Sequence, residues 1–176
     1  MVLQNLKSNR DVLEEVEILE QHVHNHERWF GKSADQTGNN WGTKATLTPY
    51  RAISGLGVFG ADANDEALVL GSADTPAVAG ASTYDLHRIL VIDQDDTSVY
   101  VIRVIWGTGT MADAEAAEQY ADVMAITDIT LNNLAGGGPV DLIMTRVNVG
   151  TKVWIRIKNA TNNVYLDFFV GLHEYI

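Results

Sequence analysis

The histidines of "EQHVHNHERWFG", residues 20–31, are the residues whose type and spacing most suggest metal chemistry. His22, His24 and His26 lie within five positions, and His22 and His26 share a face if the segment is helical. Two imidazoles are too few for a zinc site, and a metalloprotease helix needs H-E-x-x-H, whereas Val23 follows the first histidine here. We therefore interpret the cluster as a polar layer in a helical bundle, and we predict no metal site and no cofactor.

Three other segments contain residue types that occur in ligand sites but lack the sequence context that those sites require. "GLGVFG" (55–60) has the glycine spacing of a dinucleotide-binding loop, but a turn and a short β run follow it instead of a helix. "DANDE" (62–66) and "DQDD" (93–96) gather the carboxylates that calcium prefers, yet Ala67 stands where an EF-hand needs glycine. We interpret the first segment as a glycine-rich turn and the other two as solvated turns.

The residues that could support catalysis do not form a recognisable set. The chain has no G-x-S-x-G nucleophile elbow. Asp85 and Asp167 are the nearest candidates for a glycosidase carboxylate pair, although nothing in their spacing distinguishes them from strand-surface charges. His87 and His173 lie in β runs, where a lone histidine is usually a half-buried strand residue. The sequence therefore predicts no catalytic residues and no enzyme.

The composition of the chain limits the kinds of partner that it can bind. The net charge of -11 opposes binding to nucleic acids and anionic membranes, which requires clustered Lys and Arg. No stretch approaches the roughly 18 apolar residues of a membrane span, and no signal-peptide layout is visible. With no cysteine, disulfides and thiolate sites are excluded. The 176 residues, 46% of them hydrophobic, suffice for a single core. We expect neither a nucleic acid nor a membrane as partner.

Residues 1–31 have the pattern of a helical arm. Apolar positions recur at alternating steps of four and three, which is the a/d pattern of a coiled coil, and Asn5 and Asn9 continue it backwards. The predicted interface residues are Val12, Val16, Leu19, Val23, His26 and Phe30. We predict that this narrow strip joins copies of the chain. An amphipathic helix that lies on its own domain is the alternative.

The rest of the chain has the pattern of a β domain. Residues 32–44 are rich in Gly, Asn and Ser and predict a linker loop, and residues 45–176 predict a β-sandwich domain. Its predicted strands lie within 45–54, 66–71, 84–93, 98–107, 120–131, 139–149, 151–159 and 163–175. The runs 93–97 and 159–163 predict hairpin turns, and 112–124 predicts a short helix. The fold class expected is mainly β: an antiparallel, jelly-roll-like sandwich of about eight strands, preceded by the coiled-coil helix.

Several stretches resemble small virion proteins of tailed bacteriophages, of the head decoration, cement or head-fibre type. They are the helix, the "HNHERWFG" junction, the run "NNWGTKATLTPYRAISG…GVFGADANDEA" and the segment "DFFVGLHEY". The likeness is one of overall layout across most of the chain. It implies a non-enzymatic homotrimer with a β-sandwich body on the exterior of a capsid. The expected partners are a second copy and the major capsid protein or another virion protein, after synthesis in the bacterial cytoplasm.

Three functions from different classes remain open at this point. The first is the virion structural protein just described, which binds and stabilises a capsid. The second is a carbohydrate- or receptor-binding head that uses exposed Trp41, Trp106 or Trp154 as stacking platforms. The third is a jelly-roll enzyme, such as a glycosidase or a metal-dependent cupin, for which the β region offers only two histidines.

Overall fold

The protein is mainly β, as predicted. The computed structural model describes residues 28–31, 48–60, 67–76, 78–125 and 139–176. Strands make up 55% of the described residues and form two sheets, beside one short helix, α1 (Met111–Ala116). The strands are β1 (Arg28–Phe30), β2 (Tyr50–Ile53), β3 (Gly55–Leu56), β4 (Ala67–Leu70), β5 (Thr83–Gln94), β6 (Tyr100–Gly107), β7 (Tyr120–Ala125), β8 (Val140–Asp141), β9 (Val147–Asn148), β10 (Lys152–Asn159) and β11 (Tyr165–Tyr175).

The first sheet is built around β11. One side of β11 pairs with β1 and β2, and the other pairs with β5, whose far side pairs with β8 and β9. All of these pairings are antiparallel. The ladder between β11 and β5 runs from Leu166 opposite Gln94 to Tyr175 opposite Thr83. Side chains remote in the sequence are therefore neighbours across these two strands.

The second sheet is built around β10. One side of β10 pairs with β3, in parallel, and with β4, and the other side pairs with β6, which pairs in turn with β7. As the alternation of "KVWIRIK" predicts, Val153, Ile155 and Ile157 are fully buried on one face. On the opposite face, α1 covers part of the sheet and buries Ile105 with Trp154.

The two sheets share one hydrophobic core. Leu166, Phe168 and Leu172 of the first sheet and Ile155 and Ile157 of the second belong to one cluster of buried side chains. All five are inaccessible to solvent. Burying each such side chain contributes about 1.5–3 kcal/mol, so this cluster is the main source of stability in the described part of the chain.

The predicted hairpin turns at 93–97 and 159–163 are crossings between the sheets, so both hairpin predictions are wrong. β5 and β6 lie in different sheets, and so do β10 and β11. The backbone N–H of Tyr165 donates to Asp95 Oδ1 (2.7 Å), which joins one crossing to the start of β11, and Ser98 Oγ lies 2.9 Å from Asn159 Oδ1, at the start of the other crossing. Polar turn residues mark the end of a strand but not the sheet that the chain enters next.

The predicted N-terminal helix does not extend to Phe30. Arg28–Phe30 is strand β1 and pairs with Val170–Leu172 of β11. The last residues of the predicted arm, Arg28–Phe30, thus belong to the first sheet. The Trp-Phe pair favours a strand, and the edge of β11 offers backbone partners that a heptad pattern does not reveal. The remainder of the predicted helix and the predicted linker at 32–44 lie outside the described residues.

The helix predicted within 112–124 is shorter than expected and begins one residue earlier, as α1. Thr110 is its N-cap: the backbone N–H of Asp113 donates to Thr110 Oγ1 (3.2 Å), and the backbone N–H of Thr110 donates to the Asp113 carboxylate (3.1 Å). Glu118 has a φ of 55° just after the helix, and β7 follows. The hydrogen bonds of β7 to β6 outweigh the helix-forming composition of this segment.

Candidate functional site

The ladder between β5 and β11 brings together a carboxylate and two imidazoles. His173 lies opposite Asp85, and the register shifts between Gly171 and Leu172. The shift leaves His87 without a ladder partner, so His87 is the extra residue of a β-bulge in β5. Bulges redirect side chains, and this one keeps His87 beside the Asp85–His173 pair.

The three side chains lie within reach of one ion. One potential ligand atom from each of Asp85, His87 and His173 lies within 4.8 Å of the others. His173 Nδ1 is 3.7 Å from Asp85 Oδ1, and the two imidazole rings stack with centroids 4.4 Å apart. His173 is buried, and the other two are half-buried. Two imidazoles and a carboxylate form a donor set that divalent transition metals use in proteins.

Tyr175 fixes the orientation of the Asp85 carboxylate. Its hydroxyl donates to Asp85 Oδ2 at 2.7 Å, and the guanidinium of Arg146 lies 3.4 Å from the centroid of its ring. Burial and then the hydrogen bond to Asp85 raise the pKa of Tyr175 to about 12, so the phenol stays a neutral donor at neutral pH. Asp85 Oδ1 has no hydrogen-bond partner among the described residues. One carboxylate oxygen is thus held, and the other lies beside the imidazole of His173.

This cluster lies on the outer face of the first sheet. Tyr84 and Leu86, on either side of Asp85, are fully buried in the shared core, so Asp85 points away from that core. A cupin holds its metal inside the barrel, and this position does not match that arrangement. The expectation that His87 and His173 are isolated strand histidines is nevertheless wrong, because the ladder stacks them on each other.

Asp85 and Asp167 do not form a glycosidase pair. Asp85 pairs with His173, six positions along β11 from Asp167, which corresponds to about 20 Å at the rise of a strand. Glycosidase carboxylates are about 5–9.5 Å apart. Asp167 is instead buried and accepts two hydrogen bonds of 2.7 Å from Arg51.

The tryptophans proposed as stacking platforms do not share an open face. Trp154 is only 5% exposed and packs with Ile105 and Ala114 beneath α1. Trp106 is partly buried against the core on the opposite face of the second sheet. Trp41 lies outside the described residues. The two described rings therefore weaken the carbohydrate-binding hypothesis.

The glycine-rich run forms a turn, as interpreted from the sequence. Gly55–Leu56 is strand β3, Gly57 has a φ of 64°, and Phe59 forms an isolated bridge to Lys158. Arg156 Nε donates to the carbonyl oxygen of Gly60 at 2.7 Å. Within 55–60 the chain begins no helix, and the Gly60 carbonyl binds a side chain of the protein itself.

The acidic turn at 93–96 connects the two crossings through hydrogen bonds. Asp95 accepts the backbone N–H of Tyr165, and Asp96 accepts both the backbone N–H (2.6 Å) and the hydroxyl (2.5 Å) of Ser98. The Ser98 hydrogen bonds hold the pKa of Asp96 below its ordinary value. These oxygens are hydrogen-bonded within the protein, so the turn is more than a solvated loop. The run at 62–66 lies outside the described residues.

The predicted interface residues are not brought together in the described part of the chain. Val12, Val16, Leu19, Val23 and His26 lie outside the described residues. The backbone of Phe30 belongs to β1. Their role in joining copies of the chain stays a prediction.

Comparison with known proteins identifies no relative. No protein family, curated protein or solved structure matches this chain. In the part of the chain that the structure describes, no helix is both long enough and apolar enough to cross a membrane. The function is therefore inferred from the residues of this chain and their geometry.

Proposed function

We propose that this chain is a non-enzymatic virion structural protein, a homotrimer that binds and stabilises the exterior of a tailed-phage capsid. In this proposal, residues 12–26 form a parallel helical seam, and the two sheets form a jelly-roll-like sandwich. Its partner is the major capsid protein or another virion protein. The protein is made in the bacterial cytoplasm and ends on the capsid surface.

The proposal is carried by an apolar strip that needs a partner. The core of the described residues is built from the two sheets and the segments beside them. Val12, Val16, Leu19 and Val23 form a separate a/d strip in the sequence, and a helix with such a strip is stable only when the strip is buried. A strip this narrow suits the seam of a coiled coil better than contact with a broad domain surface.

The charged side chains on the outer face of the second sheet support a structural role. Arg103 contacts Asp122 (2.7 Å) and Glu115 (3.3 Å), and Arg156 contacts the other Glu115 oxygen (2.7 Å). The Arg103 guanidinium also lies 3.8 Å from the centroid of the Tyr120 ring. Charges that pair in this way tie α1, β6, β7 and β10 together and are not left available for chemistry.

The oligomeric state is the first test. Sedimentation equilibrium of the full chain at micromolar concentration should give three times the mass of one chain, 19.3 kDa. A monomer under these conditions would refute the homotrimer. A helix that lies on its own domain would give that result.

The class of protein is tested separately. The genes beside the coding sequence should encode a portal, a protease and a major capsid protein, and mass spectrometry should find the chain in the purified particles. A metabolic gene cluster would refute the virion role. Binding on a glycan array, with no chain in the particles, would favour the carbohydrate-binding alternative.

A further inference from the structure

We propose that Asp85, His87 and His173 bind one divalent transition-metal ion, such as Zn²⁺ or Co²⁺, and leave at least one coordination position open. The site lies where β5 and β11 pair beside the bulge, on the face of the first sheet that points away from the core. The metal proposal does not depend on the proposed trimer seam, so a failure of either proposal leaves the other standing.

The donor set and the spacing fit such an ion. Zn²⁺ binds imidazole nitrogen and carboxylate oxygen at about 2.0–2.2 Å, which places two ligands of a tetrahedral ion about 3.4 Å apart. His173 Nδ1 and Asp85 Oδ1 are 3.7 Å apart, beyond an ordinary hydrogen bond and close to the ligand separation. Two neutral imidazoles and one carboxylate leave a divalent ion with a net charge of about +1, which an open position can complement with water or an anion.

His87 is the residue that must move. Its ring now stacks on His173 at an angle of 23°, and stacked imidazoles do not direct their lone pairs at one point. His87 is half-buried and lies at the bulge, so its ring can turn without disturbing the core. The backbone stays fixed during this rotation, because the carbonyl of His87 accepts the N–H of Leu142 at 2.8 Å.

Tyr175 is the positioning residue of this site. Its hydroxyl holds Asp85 Oδ2 at 2.7 Å, and outer partners of this kind orient a ligating carboxylate. Asp85 Oδ1, which has no hydrogen-bond partner among the described residues, remains as the ligand atom. The bound ion then ties β5 to β11 at the point where the bulge interrupts their ladder.

The experiment is a Co²⁺ titration of the full chain, followed by visible absorption, with Zn²⁺ as competitor. We expect one ion per chain and displacement of Co²⁺ by Zn²⁺. The conservative variant Asp85→Asn and the half-buried variant His87→Ala should each weaken binding by about tenfold or more. Tyr175→Phe, which keeps the ring, should weaken binding by about tenfold and shift the Co²⁺ spectrum while circular dichroism stays unchanged.

The matched control removes the other three of the five histidines in the chain. A protein with His22→Ala, His24→Ala and His26→Ala combined should bind Co²⁺ as the natural chain does. Binding that is lost in this control and kept in Asp85→Asn and His87→Ala would overturn the proposal. So would the absence of stoichiometric binding of either ion at metal concentrations well above that of the protein.

Discussion

Asp167 is a buried carboxylate whose charge is matched by one guanidinium. Both of its oxygens accept hydrogen bonds of 2.7 Å from Arg51, which also stacks on the Tyr165 ring at 3.9 Å. Arg51→Ala leaves the carboxylate without this partner, so we expect the free energy of unfolding to fall by about 1–3 kcal/mol. The loss stays below that of a fully buried pair because the Arg51 side chain is half exposed. Urea denaturation measures it.

The control for Arg51 is the exposed pair of Arg88 and Asp141, whose side chains are 39% and 73% accessible. Arg88→Ala should change stability by less than about 1 kcal/mol, because water solvates the exposed Asp141 carboxylate after its partner is removed. Equal losses of stability in Arg51→Ala and Arg88→Ala would mean that the burial of Asp167 does not make its ion pair more important for stability than an exposed pair.

Helix α1 depends on its N-terminal cap. The Thr110 hydroxyl accepts the N–H of Asp113, and the Asp113 carboxylate accepts the N–H of Thr110. Thr110→Ala should lower the free energy of unfolding by about 1 kcal/mol, since a short helix loses the partner of one backbone N–H group. Thr108→Ala, at an exposed threonine before the cap, should have almost no effect. Chemical denaturation of both variants measures the two changes in the free energy of unfolding. A loss of stability in Thr108→Ala alone would contradict the role of Thr110 as the cap.

The four long strands were predictable from the sequence, but their pairing was not. Alternation and β-branched residues indicate β5, β6, β10 and β11 because one face of each strand is buried. The sheet that each strand joins depends on long-range packing, which the polar turns do not encode. The spacing of Asp85 and His87 suggests a shared face of a strand, yet His173 joins them only through the register of β11 and the bulge. Strand β1 was missed because a heptad pattern can run formally into residues that a sheet edge captures.

The folded molecule keeps its buried phenols neutral. Burial raises the pKa of Tyr84 far above its ordinary value, and burial with the hydrogen bond to Asp85 raises that of Tyr175 to about 12. Because these pKa values are higher in the folded state than the value of about 10 in the unfolded chain, their contribution to stability is complete below about pH 10. It declines as the pH rises from about 10 through 12.

Urea denaturation at a series of alkaline pH values tests this dependence. The free energy of unfolding should fall as the pH rises above about 10, and unfolding should add a step to the ultraviolet absorbance of tyrosinate, because the buried phenols ionise when they become exposed. Tyr175→Phe should flatten the decline between pH 10 and 12. An unchanged slope in that variant would contradict a role for the Tyr175 phenol.

Trimer formation should depend on the apolar side chains that line the axis of the proposed seam. Leu19→Asp places a carboxylate from each chain in one apolar layer, where desolvation and repulsion cost several kcal/mol per trimer. His24→Asp changes a position that the predicted heptad register places outside the seam, and it should have almost no effect. Sedimentation and circular dichroism of both variants should show loss of trimers with a retained β signal for Leu19→Asp alone. A fully trimeric Leu19→Asp protein would mean that the sheets hold the assembly, and equal damage from His24→Asp would mean that the heptad register is wrong.

The central position of β11 has a consequence for how the chain is made. Its partners β1, β2 and β5 all precede it, so the ribosome delivers the middle of the first sheet after its neighbours. Until Tyr165–Tyr175 has emerged, β1 and β2 lack the strand with which they form a ladder in the described structure, and β5 has, among the described strands, only the two-residue β8 and β9 as partners. Unpaired apolar strands associate with other chains, and pairing over long separations is slow. The nascent chain is therefore more vulnerable to aggregation during its synthesis than the finished protein is.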